Sequence, residues 1–223
     1  MPIVQESPPV HIPPTAFSLA GFRRWANSLD FPTRGRISYI QGEIEVDMNA
    51  DELRDHNPLK VALVTALQNI IDAEDLGVVL VDGARLINDD ADIGNEPDLV
   101  FAKWETIENG NVRYVESDDG SGRCVELEGT PDLVVEVVSK YSIRKDKVQL
   151  PKAYFDGGIS EYWLITPDDD GIDFQMLIRG EDQYEPVVAD GNGYLLSPAF
   201  GRGFHLTREI NRIGKYKYRL LSR

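Results

Sequence analysis

Two carboxylates in this chain stand where a carboxylate is costly. Asp98 follows Pro97 at the head of an apolar run, and Glu136 lies inside Val134-Val135-Glu136-Val137-Val138. A charge within a buried strand must be paired, protonated or holding a metal. If the two strands are neighbours in a sheet, both carboxylates meet at one end of it. Two carboxylate oxygens, a backbone carbonyl and waters suit Mg²⁺, with Mn²⁺ as its substitute. A metal so held acidifies a bound water and neutralises charge on a phosphoryl oxygen. The segment just beyond Glu136 carries Lys140, Arg144, Lys145, Lys147 and Lys152. A lysine there could orient an attacking water or stabilise a pentavalent phosphorane. The competing reading is structural: a strand-borne Glu salt-bridged to a nearby Arg or Lys.

The elements that must position these residues are legible in outline. The first 14 residues carry five prolines and read as an extended arm. Thr15 can cap a helix running to about Leu29. Residues 36–48 read as a hairpin turning at Gln41-Gly42, and 58–75 as a helix with His56 just before it. Residues 78–87 form one strand, or two bent around Gly83, and 96–101 a short strand opened by Pro97. The polar stretch 105–129 looks like an insertion or a long hairpin. Residues 132–139 make the plainest buried strand, apolar on both faces except at Glu136. A helix over 144–155 ends at Gly157-Gly158, and strands follow at 160–167, 173–180, 184–190 and 193–200. The order predicts an α/β fold, a mixed central sheet flanked by helices, as a single domain over 15–204 with a basic tail at 205–223.

These residues resemble the PD-(D/E)XK nuclease superfamily. More narrowly, PDLVVEVVSKYSIRKDKVQLPKAYFDGGISEYWLITP, residues 131–167, is similar to the Uma-type family of bacterial restriction endonucleases. Gly42-Glu43 in the hairpin, His56 before a long helix and Glu96-Pro97-Asp98-Leu99-Val100-Phe101 support the likeness, which spans about 36–200. It implies a restriction-endonuclease-like core and hydrolysis of a DNA phosphodiester. It also implies a homodimer, with Asp98, Glu136 and the Val137 carbonyl holding Mg²⁺ and Glu43 and His56 near the site. His56 could equally satisfy carbonyls or solvent at a helix start. One departure matters: Val138 occupies the usual lysine position, and Leu150 the place four residues after Asp146 where many relatives carry one. With 3.6 residues per turn, Lys147 lies nearest the face of Leu150, so Lys147 ranks first and Lys145 second. Other readings are a decayed nuclease fold kept for interaction and a metal-dependent hydrolase of small phosphoesters.

Composition sets the outer bounds. The 223 residues hold 23 Lys+Arg against 38 Asp+Glu, a formal charge of −15, which should repel a polyanion unless the cations are concentrated. They are concentrated. Residues 37–135 hold 6 basic and 23 acidic side chains, 136–152 balance at +3, and 202–223 hold seven basic residues against Glu209. No apolar run reaches the length of a membrane helix and no secretory signal opens the chain. The lone Cys124 excludes an internal disulfide and suits a reducing cytoplasm. There is no phosphate-cradling GxxxxGK loop, no GxSxG elbow, and too few His for a zinc site. Tyr162 and Trp163 read as core anchors, and Asp168-Asp169-Asp170-Gly171 as a turn.

Overall fold

The computed structural model describes residues 9–49, 53–117, 120–169 and 171–223. Most of the proline-rich start, residues 1–8, and Asp170 of the acidic turn lie outside them. In place of one helix over 15–29, a 3-10 turn (Pro14–Phe17) precedes α1 (Leu19–Ala26). Ser18, not Thr15, is the cap: its Oγ accepts from the Gly21 amide at 3.3 Å. The hairpin forms as expected, β1 (Arg36–Ile40) and β2 (Glu43–Asp47), with Gln41 and Gly42 both at positive φ in its tight turn. Then come α2 (His56–Glu74), β3 (Gly77–Val81), β4 (Arg85–Asn88), β5 (Ile93–Asn95) and β6 (Leu99–Lys103). The stretch expected as an insertion or long hairpin holds α3 (Trp104–Glu108) and a hairpin, β7 (Val112–Glu116) with β8 (Cys124–Gly129). After β9 (Leu133–Val137), a π-helical turn over Lys145–Gln149 runs into α4 (Leu150–Asp156). The remaining strands are β10 (Glu161–Pro167), β11 (Ile172–Arg179), β12 (Tyr184–Pro186), β13 (Leu195–Ser197), β14 (Arg202–Ile210) and β15 (Tyr216–Ser222). No helix among the described residues is long and apolar enough to cross a membrane.

The expected mixed central sheet is present, in the order β12-β11-β10-β9-β6-β3. Its one parallel pair, β9 with β10, is joined by the π turn and α4, as a parallel crossover requires. A second mixed sheet, β2-β1-β5-β4-β8-β7, was not expected. Its cause is local. Gly83 at φ +81 breaks the run 78–87, sending β3 to the central sheet and β4 to the second.

The row Leu133, Val135 and Val137 packs on one side of the central sheet, with Leu59, Leu63, Leu67 and Ile71 of α2. Val134 and Val138 pack on the other, with Leu150, Ala153 and Tyr154 of α4 and with Tyr162. Glu136 stands in that second row. Both Tyr162 and Trp163 are fully buried, so EYW anchors the core.

The stretch 205–223, expected as a basic tail, is most of a hairpin, β14 with β15, and its sheet is completed by β13. Phe204, Tyr218 and Leu220 are buried in the cluster that α2 covers. Phe204→Ala should therefore cost about 3–5 kcal/mol in urea unfolding. A loosely attached tail would show no change.

Candidate active site

Strand pairing brings the two carboxylates together. β6 and β9 run antiparallel with Leu99 opposite Val135, and one step further the register sets Asp98 across from Glu136. Both are buried, and both line a cleft of about 740 Å³ between the hairpin β1–β2, the start of α2 and the loop after β9.

Asp98 is fixed from several directions. Its Oδ2 accepts from the Val137 amide at 2.7 Å, while Oδ1 lies 3.3 Å from Arg36 Nη1 and 3.5 Å from Lys60 Nζ. Arg36 and Lys60 also reach Asp82, each at 3.0 Å, which ties the cationic pair to the end of β3. Burial alone would lower the Lys60 ammonium, but Asp98 and Asp82 outweigh it and raise it. His56 Nε2 is 2.8 Å from the Val137 carbonyl oxygen and 3.6 Å from Asp98 Oδ2. A carbonyl only accepts, so Nε2 carries the hydrogen. The two readings of His56 therefore meet in one place: it satisfies a carbonyl, but that carbonyl belongs to the site strand and His56 lines the cleft.

Glu136 is held through one oxygen. Its Oε1 accepts from Asn95 Nδ2 at 3.0 Å and from the Tyr154 hydroxyl at 2.9 Å. Asn95 is oriented in turn by Ser38, whose hydroxyl donates to Asn95 Oδ1 at 2.6 Å. No hydrogen bond among the described residues reaches Glu136 Oε2. Burial pushes the Glu136 carboxyl up to about 8. Lys145 opposes that rise, Asp146 and Asp98 add to it, and the Tyr154 hydrogen bond opposes it further.

The π turn decides which lysine lines the cleft. Lys145 is largely buried, with Nζ 3.2 Å from Asp146 Oδ1, and both residues line the cleft. Burial alone would lower the Lys145 ammonium, but Glu136, Asp146 and Asp98 outweigh it and hold it above an ordinary lysine. Burial likewise raises the Asp146 carboxyl, against Lys145. Lys147, ranked first from helical periodicity, is exposed and does not line the cleft. The ranking assumed i→i+4 turns, whereas the Leu150 amide here bonds back to the Lys145 carbonyl, five residues earlier. Val138 and Leu150, at the expected lysine positions, are core residues.

Glu43 is also displaced from the expected place. It is exposed and bound by Arg144 at 3.0 Å and Gln149 at 2.9 Å; Glu45, two residues on, lines the cleft instead. Sequence reasoning missed Asn95, Tyr154, Arg36 and Lys60. One signal was available: Lys60 stands four residues after His56, on the face of α2 that carries Leu59 and Leu63.

Among the described residues, no three His, Cys, Asp or Glu side chains are grouped closely enough to make a metal centre alone. At the strand ends the cleft offers the carboxylates of Asp98 and Glu136 and the Val137 carbonyl, which keeps a lone pair beyond the one His56 uses, and Glu45 and Asp146 add further carboxylates to its lining.

Comparison with known proteins agrees with this architecture. No curated protein matches the chain. A solved structure does: a putative nuclease belonging to DUF820 from Anabaena variabilis ATCC 29413. It superposes with a TM-score of 0.61 at 16% identity, over 82% of this chain and 90% of that one. At that identity the likeness establishes the restriction-endonuclease-like fold. The profile of the Uma2 family, described as putative restriction endonuclease, matches residues 19–209, and the chain belongs to that family.

Proposed function

We propose that this protein is a divalent-metal-dependent nuclease that hydrolyses DNA phosphodiesters in the cleft around Asp98 and Glu136. The observation that carries the reading is the opposition of these two carboxylates where β6 and β9 pair, beside a half-buried cationic lysine. The donor set fits a hydrated Mg²⁺ or Mn²⁺: hard oxygens, with no hydrogen bond to Glu136 Oε2 among the described residues. Asp98, Glu136 and the Val137 carbonyl would hold the ion. When bound, it supplies charge neutralisation at a phosphoryl oxygen and a more acidic water.

The chain's own residues do the rest. The Val137 amide fixes Asp98, and Asn95 with Tyr154 fixes Glu136, so neither carboxylate has to reorganise on binding. Lys145 stays protonated through the neutral range, and its ammonium can hold an anionic oxygen of the substrate or orient a water. Exposed Lys140 on the same cleft offers a second cation to the DNA backbone.

The test is cleavage of supercoiled plasmid with Mg²⁺, Mn²⁺ or EDTA, alongside calorimetric titration of Mn²⁺. Asp98→Asn should lower cleavage at least 10²-fold, an order typical for a metal-site group, and weaken Mn²⁺ binding. Absence of cleavage by the wild type with either metal, together with Mn²⁺ binding unaltered in Asp98→Asn, would falsify the reading. That result would favour the second reading, an interaction module on a nuclease fold, which the burial of Val138 at the usual lysine position supports.

A further inference from the structure

The hairpin β14–β15 concentrates cations in an acidic protein, and its cations differ in how far they are committed. Arg202 pairs with Glu74, Arg223 with Asp190, and Lys217 and Arg219 share Glu209. Arg208 donates to the backbone carbonyls of Asp168 and Asp169 and stacks over the Tyr216 ring at 4.0 Å. Arg212 and Lys215, at the tip, make no ion pair among the described residues. Both are exposed, and between them Ile213 is 72% exposed, an apolar side chain at the far end of a charged ribbon.

The tip is built, not loose. The Asn211 amide donates to the Lys215 carbonyl at 2.7 Å, and Asn211 Oδ1 accepts from the Ile213 and Lys215 amides, each at 3.0 Å. Gly214 supplies the positive φ of +74. The base of the tip is also fastened to the cleft. Arg54, which lines the cleft, lies 5.4 Å over the Tyr216 ring, and the Tyr218 hydroxyl donates to cleft-lining Asp55 at 2.5 Å. Lys215 follows directly on the tip side of Tyr216, so its Cα is about 3.8 Å from that of Tyr216.

We infer that the Arg212-Ile213-Gly214-Lys215 tip is a second DNA-binding element, entering a groove of the duplex next to the cleaved phosphate. Arg212 and Lys215 would take backbone phosphates on either side, and Ile213 would press on sugars and base edges as an apolar wedge. A two-stranded ribbon with free cations flanking an exposed aliphatic residue is complementary to a groove lined by phosphates. The inference rests on the nuclease reading and adds where the duplex lies beyond the cleft. It also says how a chain of charge −15 holds DNA: through uncommitted cations on an arm.

The experiment measures binding of the full chain to an end-labelled DNA duplex in EDTA, by anisotropy across a salt series. Arg212→Ala with Lys215→Ala should weaken binding about tenfold or more and reduce the slope of log K against log salt by about 2. Ile213→Ser should weaken binding about threefold or more and leave that slope unchanged, because it removes no charge. Unchanged Tm in both proteins verifies that the fold is intact. If the wild type binds duplex and either variant binds as it does, groove insertion is overturned while the nuclease reading stands. If the wild type does not bind duplex but binds vesicles containing phosphatidylserine through Arg212 and Lys215, both fall.

Discussion

Glu136→Gln should stabilise the metal-free protein at about pH 9 and abolish its cleavage of DNA. The Gln Oε1 can still accept from both donors, Asn95 and Tyr154, so the substitution exchanges a buried charge for a neutral isostere in the same network. The sign follows from linkage. The folded carboxyl titrates at about 8, above its ordinary value of ~4.3, so its contribution to stability is fully present below that ordinary value. It is then lost as pH rises through about 8. The ceiling on that loss is on the order of 5 kcal/mol, and the amide does not suffer it. Tm in EDTA should therefore be nearly equal for the two proteins at about pH 5 and diverge in favour of the variant at alkaline pH. A gap that does not widen with pH would sink the argument. Cleavage should fall by at least about 10³-fold, because the charged oxygen that faces the cleft is gone.

The second large effect belongs to Lys145. Lys145→Met should reduce cleavage about 10²–10³-fold, the order measured when one preorganised donor to a developing charge is removed. It should also destabilise the protein by roughly 3–5 kcal/mol, since Asp146 and Glu136 lose the cation that offsets their burial. Mn²⁺ affinity should move the other way and rise, because a like charge has left the cleft. Lys147→Met should leave cleavage within about twofold, as expected of an exposed side chain outside the cleft. The reverse pattern, activity lost with Lys147 and kept without Lys145, would mean that the π turn does not govern which lysine acts.

The parts of the site legible in the sequence are those where a local rule is broken. Asp98 and Glu136 interrupt apolar strands, and an interruption of that kind is visible in one dimension. Asn95 breaks no such rule, since beside Gly94 and ahead of Glu96-Pro97 it reads as an ordinary turn residue. Only the pairing of β5 between β1 and β4 brings its amide under Glu136. Tyr154 falls in a segment that reads simply as helix, and its hydroxyl carries no sign of a partner 18 residues back along the chain. Lys147 was preferred because sequence offers no mark of a π turn; the extra residue per turn rotates everything before it. The C-terminal hairpin was hidden by its charge. Phe204, Leu206, Tyr216, Tyr218 and Leu220 alternate as a buried face should, but the seven cations of 202–223 suggested a basic tail. The second sheet was missed because the break at Gly83 looks the same whether its two strands part company or merely bend.

The Asn95 amide has a consequence for motion. It reaches from one sheet to a carboxylate on the other, and Ser38 of β1 steers it, so the two sheets meet at the oxygen of Glu136 that Tyr154 also binds. A rocking of one sheet against the other by an ångström would strip that oxygen of a donor and make the carboxyl a weaker acid. The acidity of Glu136, and with it the cation affinity proposed for the cleft, would follow the angle between the sheets. Under that proposal a substrate that wedged them apart would loosen the ion, and one that pressed them together would tighten it.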